Sequence, residues 1–136
     1  MPQIVVEQNY GEAKRAVIKG LVDYNRAAVG KHPWKQLAVT VRDDGRIVGG
    51  VLGALWLEWL FVELLWLAEA FRGRDVGTEL MNTLQDEARR LGAKNAYVDT
   101  FTFQAPGFYE KLGFREFGRL EPYFQTHARI WLTKPL

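Results

Sequence analysis

Residues 64–84, LLWLAEAFRGRDVGTELMNTL, limit the fold of this chain more than any other segment. An apolar run ends near residue 67 and is followed by a basic, glycine-containing turn at residues 72–77, after which Val76, Leu80 and Leu84 recur at helical spacing. A strand, a basic turn and a helix in this order can form an anion site, because the first N–H groups of a helix lack internal partners and its dipole favours negative charge. On this segment alone, an ordinary strand-to-helix turn with solvated arginines is an equally good interpretation.

The length and composition favour one intracellular domain. A chain of 136 residues suits a single domain spanning residues 1–136 with one substantial core. No apolar run reaches the roughly 20 residues that a membrane-spanning helix needs, and the N-terminus lacks the pattern of a signal peptide. The chain has no cysteine, which excludes a disulfide framework and a cysteine nucleophile. We therefore expect a cytoplasmic protein with no membrane partner.

The charges favour a small anionic ligand over nucleic acid. The net charge is only +2, and the basic residues are scattered apart from the pair Arg72 and Arg74. The two histidines and the scattered acids show no metal-ligand spacing, so no metal site is expected. Trp56, Trp59 and Trp66 lie close together in sequence, which indicates either a heavily packed sheet or an aromatic cleft.

Hydrophobic periodicity predicts an α/β fold with the element order β-α-β-β-β-α-β-α-β-β, layered over one mixed sheet. An Asp-Gly turn at residues 43–46 joins two of the strands as a hairpin. The nearly continuous apolar character of residues 47–57 and 59–67 indicates central strands covered on both faces. The predicted strands are residues 4–7, 37–42, 47–57, 59–67, 96–103, 114–120 and 127–132, and the predicted helices are residues 11–28, 76–91 and 104–112.

Two segments in this order resemble the GCN5-related N-acetyltransferase (GNAT) superfamily. Residues 72–77, RGRDVG, resemble its acetyl-CoA pyrophosphate loop, usually written Arg/Gln-x-x-Gly-x-Gly/Ala. Residues 105–114, APGFYEKLGF, resemble its FYxKxGF segment. Together, with a helix and a strand between them, they imply a single GNAT-like domain with a mixed, mostly antiparallel central sheet flanked by helices.

The chain departs from the family pattern at two positions. Asp75 stands where the family has its first loop glycine, and a carboxylate beside a pyrophosphate would repel it. Alternatively, Asp75 turns outward to pair with an arginine, or caps the helix. Thr102 stands where many relatives have asparagine, and its hydroxyl cannot span two partners as an amide can.

The resemblance implies a site for acetyl-CoA as co-substrate. The pyrophosphate would bind the backbone amides of residues 72–78, and Arg72 and Arg74 would screen its charge. Leu67 and Ala68, at the end of the preceding strand, would pair with the pantetheine arm, and one of their amides would act as an oxyanion donor. The implied cofactor-binding residues are Leu67, Ala68, Arg72, Gly73, Arg74, Asp75, Val76, Gly77, Thr78, Thr102 and Phe108.

Tyr109 and Glu63 are the catalytic candidates. Tyr109 matches the tyrosine of the family, where a phenol can hydrogen-bond to the departing thiolate or protonate it; otherwise it is a tyrosine packed at a helix end. Glu63 interrupts an apolar strand, where burial would raise its pKa toward that of a general base; otherwise it is an edge or interface glutamate. Asp99 could hold the substrate ammonium or bond to backbone, and Trp34 and Trp56 could line an acceptor pocket or fill the core.

The leading function is transfer of an acetyl group from acetyl-CoA to a primary amine of a small molecule. Direct attack in a ternary complex is expected because the chain has no cysteine nucleophile. Two alternatives stay open: acetylation of a protein or peptide at a lysine or N-terminus, and a non-catalytic acyl-CoA-binding module. Relatives commonly dimerise, so the resemblance also permits a homodimer.

Overall fold

The chain divides after Pro33 in the computed structural model, which describes residues 1–136. The first unit, residues 1–33, contains the helix α1 (Tyr10–Val29), as predicted. Asn9 caps it, because its side-chain oxygen accepts a hydrogen bond from the Glu12 N–H at 3.0 Å. The strand predicted at residues 4–7 is wrong: these residues form no strand and are exposed. No helix of the protein has both the length and the apolar character that crossing a membrane requires.

The second unit, residues 34–136, is built on a six-stranded sheet with the order β1-β2-β3-β4-β6-β5. Every neighbouring pair is antiparallel except β3 and β4. This mixed, mostly antiparallel sheet confirms the predicted fold class. Its elements are β1 (Lys35–Asp43), β2 (Arg46–Trp56), β3 (Trp59–Leu67), a 3₁₀ turn (Glu69–Phe71), α2 (Val76–Arg90), β4 (Asn95–Phe101), α3 (Pro106–Lys111), β5 (Arg115–Phe124) and β6 (His127–Pro135).

The parallel strands β3 and β4 diverge halfway along their length. They pair only from Trp59 to Val62 on β3 and from Asn95 to Val98 on β4. On the other side of β3, Leu52 pairs with Leu64 while Gly53 pairs with Val62, which leaves Glu63 as the extra residue of a β-bulge. A bulge bends its strand and redirects a side chain. The gap beyond Val62 is therefore open, and Glu63 lies at its mouth.

Helix α2 covers one face of the sheet and forms the core with it. Its buried residues Leu80, Met81, Leu84 and Ala88 recur at helical spacing and belong to one cluster with buried residues of β2, β3, β4 and β6. Leu52 and Trp66, on β2 and β3, are exposed. Within the second unit α2 covers one face of these strands, and cover on both faces stays a prediction.

Candidate active site

A cavity of about 710 Å³ lies where β3 and β4 diverge, and the start of α2 and the helix α3 complete its walls. It brings together most of the predicted site residues from four separate segments. The predicted residues in its walls are Glu63, Leu67, Arg72, Gly73, Asp75, Val76, Gly77, Thr78, Asp99, Phe108 and Tyr109. Five predicted residues do not line it: Trp34, Trp56, Ala68, Arg74 and Thr102.

The turn before α2 presents free backbone donors to this cavity. The first helical hydrogen bond runs from the Glu79 N–H to the Asp75 carbonyl at 3.0 Å, so the amides of residues 76–78 precede the intrahelical ladder and have no partner within it. Gly73 has a φ of 76° and open space where a side chain would begin. Gly77 packs against Phe108, whose ring would lie 3.3 Å from an added Cβ. These features fit a loop that binds a pyrophosphate.

The two arginines of the turn differ in their contacts. The Arg72 Nε donates to the Leu67 carbonyl at 2.9 Å, which ties the turn to the end of β3. Its remaining guanidinium N–H groups stay free for an anion. Arg74 is exposed and makes no hydrogen bond or ion pair. Arg72 therefore stabilises the conformation of the turn. Arg74 can attract an anion, but its charged side chain is exposed to solvent.

The backbone conformation of Asp75 explains why the family pattern has glycine at this position. Its φ is 62°, in the left-handed region that glycine adopts freely and that aspartate and asparagine tolerate better than most residues. Its side chain makes no capping hydrogen bond and no ion pair. The alternatives of capping and arginine pairing are therefore both excluded, and its carboxylate stands unpaired in the cavity wall.

Replacement of Asp75 by asparagine is expected to tighten acetyl-CoA binding about fivefold at low salt. Asparagine keeps the left-handed conformation while it removes a repulsion of about 1 kcal/mol at contact distance in water. Isothermal titration calorimetry measures the dissociation constant, and the gain should shrink as salt rises. Asp44→Asn is the matched control, because Asp44 is also left-handed, with a φ of 49°, but lies in the β1–β2 turn. A looser complex for Asp75→Asn would show that the carboxylate does not oppose the pyrophosphate.

The backbone at the end of β3 narrows the choice of oxyanion donor. The Ala68 N–H donates to the Val48 carbonyl of β2 at 2.8 Å, so it cannot reach a ligand in the gap, and of the two predicted amides only that of Leu67 remains available. N–H groups alternate between the two edges of a strand. The amides of Leu65 and Leu67 therefore point toward the gap that β4 has left. Leu65 lines the cavity and was not predicted from the sequence.

Tyr109 is a buried tyrosine whose hydroxyl remains free. Its ring is 8% exposed and meets the rings of Phe108 and Phe114 edge-on. The hydroxyl makes no hydrogen bond to the protein, and no buried polar side-chain atom lacks a partner, so this oxygen reaches the cavity. Burial, and secondarily the negative charge of Asp99, raise the pKa of Tyr109 to about 12. The phenol therefore stays protonated at physiological pH.

The raised pKa of Tyr109 predicts a loss of stability at alkaline pH. An unfolded tyrosine ionises near pH 10, whereas Tyr109 in the folded chain keeps its proton until about pH 12. The folded state binds more protons in that window, so the free energy of unfolding should fall by about 3 kcal/mol as pH rises from 10 to 12. Urea denaturation of the wild type and of Tyr109→Phe measures the difference. Equal slopes for the two proteins in that window would contradict the buried, neutral phenol.

The acidic residues at the mouth of the gap have different partners. Asp99 accepts hydrogen bonds from Arg129 through Nε at 3.0 Å and Nη2 at 2.7 Å. Arg129 therefore already balances the charge of Asp99. The partners expected from the sequence were a substrate ammonium group or the backbone, and Arg129 is neither of them. Glu63 is exposed on the β-bulge, not buried as expected, and it makes no ion pair or hydrogen bond. Burial, followed by the charges of Asp99 and Glu63, raises the pKa of Tyr97, which places both carboxylates near that ring.

The other predicted positions lie outside the cavity wall. The rings of Trp34 and Trp56 are 6.2 Å apart and contact each other, while Trp66 is the tryptophan that lines the cavity. The Thr102 hydroxyl accepts a hydrogen bond from the Ala128 N–H at 3.0 Å, which fastens the end of β4 to β6. Gln104 lines the cavity and was missed. The sequence signal that could have identified Gln104 is its side-chain amide, which lies between the predicted strand and the FYxKxGF segment.

A cavity between two diverging strands, with a helix N-terminus behind a basic glycine-containing turn in its wall, fits an α/β protein that binds an anionic ligand. The chain belongs to the acetyltransferase (GNAT) family, whose model matches residues 9–114. It is an acyltransferase that depends on acetyl-CoA, as the resemblance implied.

Individual relatives agree with this assignment. The chain is 37% identical over 124 residues to Acetyltransferase Atu2258 of Agrobacterium fabrum (strain C58), covering 90% of each chain. A solved acetyltransferase structure from Agrobacterium tumefaciens is 34% identical, with a TM-score of 0.91 over 100% of both chains. Blasticidin-S acetyltransferase of Streptomyces morookaense is 38% identical over 74 residues, covering 54% of each chain.

Proposed function

We propose that this protein transfers the acetyl group of acetyl-CoA to a primary amine of a small molecule, by direct attack within a ternary complex. The observation that carries the proposal is that an unpaired carboxylate, Glu63, and an unpaired phenol, Tyr109, open onto one cavity whose far end is the N-terminus of α2. The similarity to an enzyme named for blasticidin S, a small molecule, supports an acceptor of that size.

The chain's own groups would hold acetyl-CoA, which supplies an acetyl thioester when bound. The free amides of residues 76–78 and the arginines of the turn would bind its pyrophosphate. One of the amides of Leu65 and Leu67, at the open edge of β3, would donate to the thioester carbonyl and stabilise the negative charge that develops there. Asp75 opposes this arrangement, and its unpaired carboxylate would make the cofactor site weaker than one with glycine at that position.

Tyr109 would donate a hydrogen bond to the departing sulfur and keep its proton. Its pKa of about 12 lies roughly 3.5 units above that of a free thiol near 8.5. Complete transfer of the proton from the phenol to the thiolate is therefore uphill by about 5 kcal/mol. Of the two roles considered for this tyrosine, hydrogen-bond stabilisation of the thiolate is the one that its burial favours.

Glu63 would take the proton of the acceptor amine. A primary amine near pKa 10 is mostly protonated at neutral pH and must lose a proton before it can attack. Glu63 lacks a competing cation, whereas Asp99 is held by Arg129. Its exposure gives solvent access, so the proton can be passed on to bulk water. Asp99 would then act on the substrate only through the neutralised Asp99–Arg129 pair.

Binding and turnover assays separate this proposal from its alternatives. A thermal shift with acetyl-CoA reports binding, and thiol release over a panel of small amines and peptides reports transfer. Release with small amines and not with peptides is the expected result. Release with peptides alone would move the function to protein acetylation, and binding without any release would favour a non-catalytic module. A cytoplasmic homodimer stays a prediction, and light scattering tests the dimer.

A further inference from the structure

Asp99 lies in the cavity wall and uses only one of its two carboxylate oxygens within the protein. Its Oδ1 atom accepts both hydrogen bonds from Arg129, from Nε at 3.0 Å and from Nη2 at 2.7 Å. No protein group donates to Oδ2, and no buried polar side-chain atom lacks a partner, so Oδ2 is accessible. The side chain of Asp99 is only 16% exposed, so the cavity that it lines is where a ligand would meet this oxygen.

Arg129 fixes the orientation of this carboxylate, because its own guanidinium group is held on several sides. Asp99 on β4 pairs with Trp131 on β6, and Arg129 is the next residue of β6 on the same face of the sheet. The guanidinium carbon lies 4.9 Å from the centre of the Trp131 ring and 5.6 Å from that of Phe101. Its Nη1 donates to the Tyr123 hydroxyl at 3.3 Å. The planar fork therefore cannot turn without losing these contacts, and Oδ2 is presented in one direction.

The two strands that diverge at the cavity each carry one of these acidic side chains. Glu63 lies on the bulge of β3 and is unpaired, whereas Asp99 on β4 is neutralised by Arg129. Both carboxylates contribute to the raised pKa of Tyr97, so both lie near that one ring. A molecule whose amine lies beside Glu63 would therefore bring its next atoms close to Asp99, where a hydrogen-bond acceptor is available.

We propose that Oδ2 of Asp99 accepts a hydrogen bond from a second N–H or O–H group of the acceptor molecule, with Arg129 as the positioning residue that orients the carboxylate. The substrate class is then a primary amine that carries a hydroxyl or a further amino group, such as an amino alcohol or a diamine. A plain alkylamine would cover Oδ2 without offering it a donor, which is unfavourable for a polar atom. The inference rests on the proposed function, because it requires the reacting amine beside Glu63.

Thiol release with three matched series of acceptors tests the proposal: amino alcohols, diamines and alkylamines of the same length, with spacers from ethylene to pentamethylene. At the best length, kcat/KM for the amino alcohol and the diamine should exceed that of the alkylamine about tenfold. Asp99→Asn should abolish this preference, because the donors of Arg129 require the asparagine oxygen and leave an NH₂ group in the place of Oδ2. Arg129→Lys should reduce the preference less, since an ammonium group keeps the charge but cannot grip the carboxylate with a fork.

Asp86→Asn is the matched control, because Asp86 also accepts from an arginine, Arg89, at 2.7 Å but lies outside the cavity. It should keep the preference of the wild type. Equal kcat/KM for all three series in the wild type would overturn the proposal. An Asp99→Asn variant that loses kcat/KM equally for every acceptor would also overturn it, because a structural defect acts on all acceptors alike.

The two kinds of second group are distinguished in the same experiment. The larger of the two preferences identifies the group that Oδ2 binds better, a hydroxyl or an amine. A preference for diamines with none for amino alcohols would overturn the proposal, because it would indicate attraction of a positive charge and not a hydrogen bond to Oδ2. Absence of thiol release with any small amine would instead refute the proposed function, so the two failures are distinguishable.

Discussion

Replacement of Tyr109 by phenylalanine is expected to lower kcat about 10²- to 10³-fold. The change removes one preorganised hydrogen-bond donor from a buried position, and losses of this size are typical for such donors. The ring stays in place, because it is packed edge-on between Phe108 and Phe114 and phenylalanine fills the same volume. Thiol release at saturating acetyl-CoA measures kcat.

The pH profile of the same variant separates the two roles of the phenol. Because the pKa of Tyr109 is about 12, its ionisation should produce no decline in rate between pH 7 and 10. The wild type and Tyr109→Phe should therefore give parallel profiles in that range. Tyr97→Phe is the control, since Tyr97 does not line the cavity. An unchanged kcat in Tyr109→Phe would remove Tyr109 from the mechanism, and a decline near pH 9 in the wild type alone would restore it as a proton donor.

Most helices and strands could be predicted because apolar spacing and turn residues mark them in the local sequence. The strand at residues 59–67 has the predicted bounds, and the helix beginning at Val76 was recognised from its apolar spacing. The Asp-Gly turn also formed as expected, with positive φ at Asp44 and Gly45. The failure at residues 4–7 has a physical cause: a strand exists only where another strand pairs with it, and a short β-branched run cannot report that partner.

The candidate site was predictable in its motifs and not in its hydrogen bonds. Residues 72–77 and 105–114 were located from sequence, and the structure brings them to one cavity. Which amides of β3 face that cavity depends on how β3 pairs with β2. The hydrogen bond between Ala68 and Val48 fixes this pairing. No local pattern encodes it, so the sequence could not distinguish the amides of Leu67 and Ala68, and it missed that of Leu65. The Asp99–Arg129 pair likewise depends on the register of β4 and β6, across 30 residues of sequence.

The unexpected exposure of Glu63 changes the reason for assigning it a catalytic role. The sequence argument relied on burial within an apolar strand, but the β-bulge turns this carboxylate out to the mouth of the gap. An exposed carboxylate still serves as a proton acceptor if it lies beside the amine and has no competing cation. Its unpaired state, in contrast to Asp99, is what now supports the assignment.

Replacement of Glu63 by glutamine is expected to lower kcat/KM about 10²- to 10⁴-fold at pH 7, because the acceptor amine then lacks a positioned base. The deficit should shrink as pH approaches 10, where a primary amine loses its proton to solvent without help. Initial rates from pH 6.5 to 10 with a small primary amine measure this rescue.

Two exposed glutamates outside the cavity provide controls for the charge alone: Glu58→Gln near the start of β3 and Glu69→Gln after its end. Both should keep rates near those of the wild type. A Glu63→Gln variant with raised KM and normal kcat would show that the carboxylate only attracts the ammonium group. A loss of kcat/KM that stays constant up to pH 10 would also contradict the role of Glu63 as a base. The lost interaction would then not depend on whether the amine is protonated.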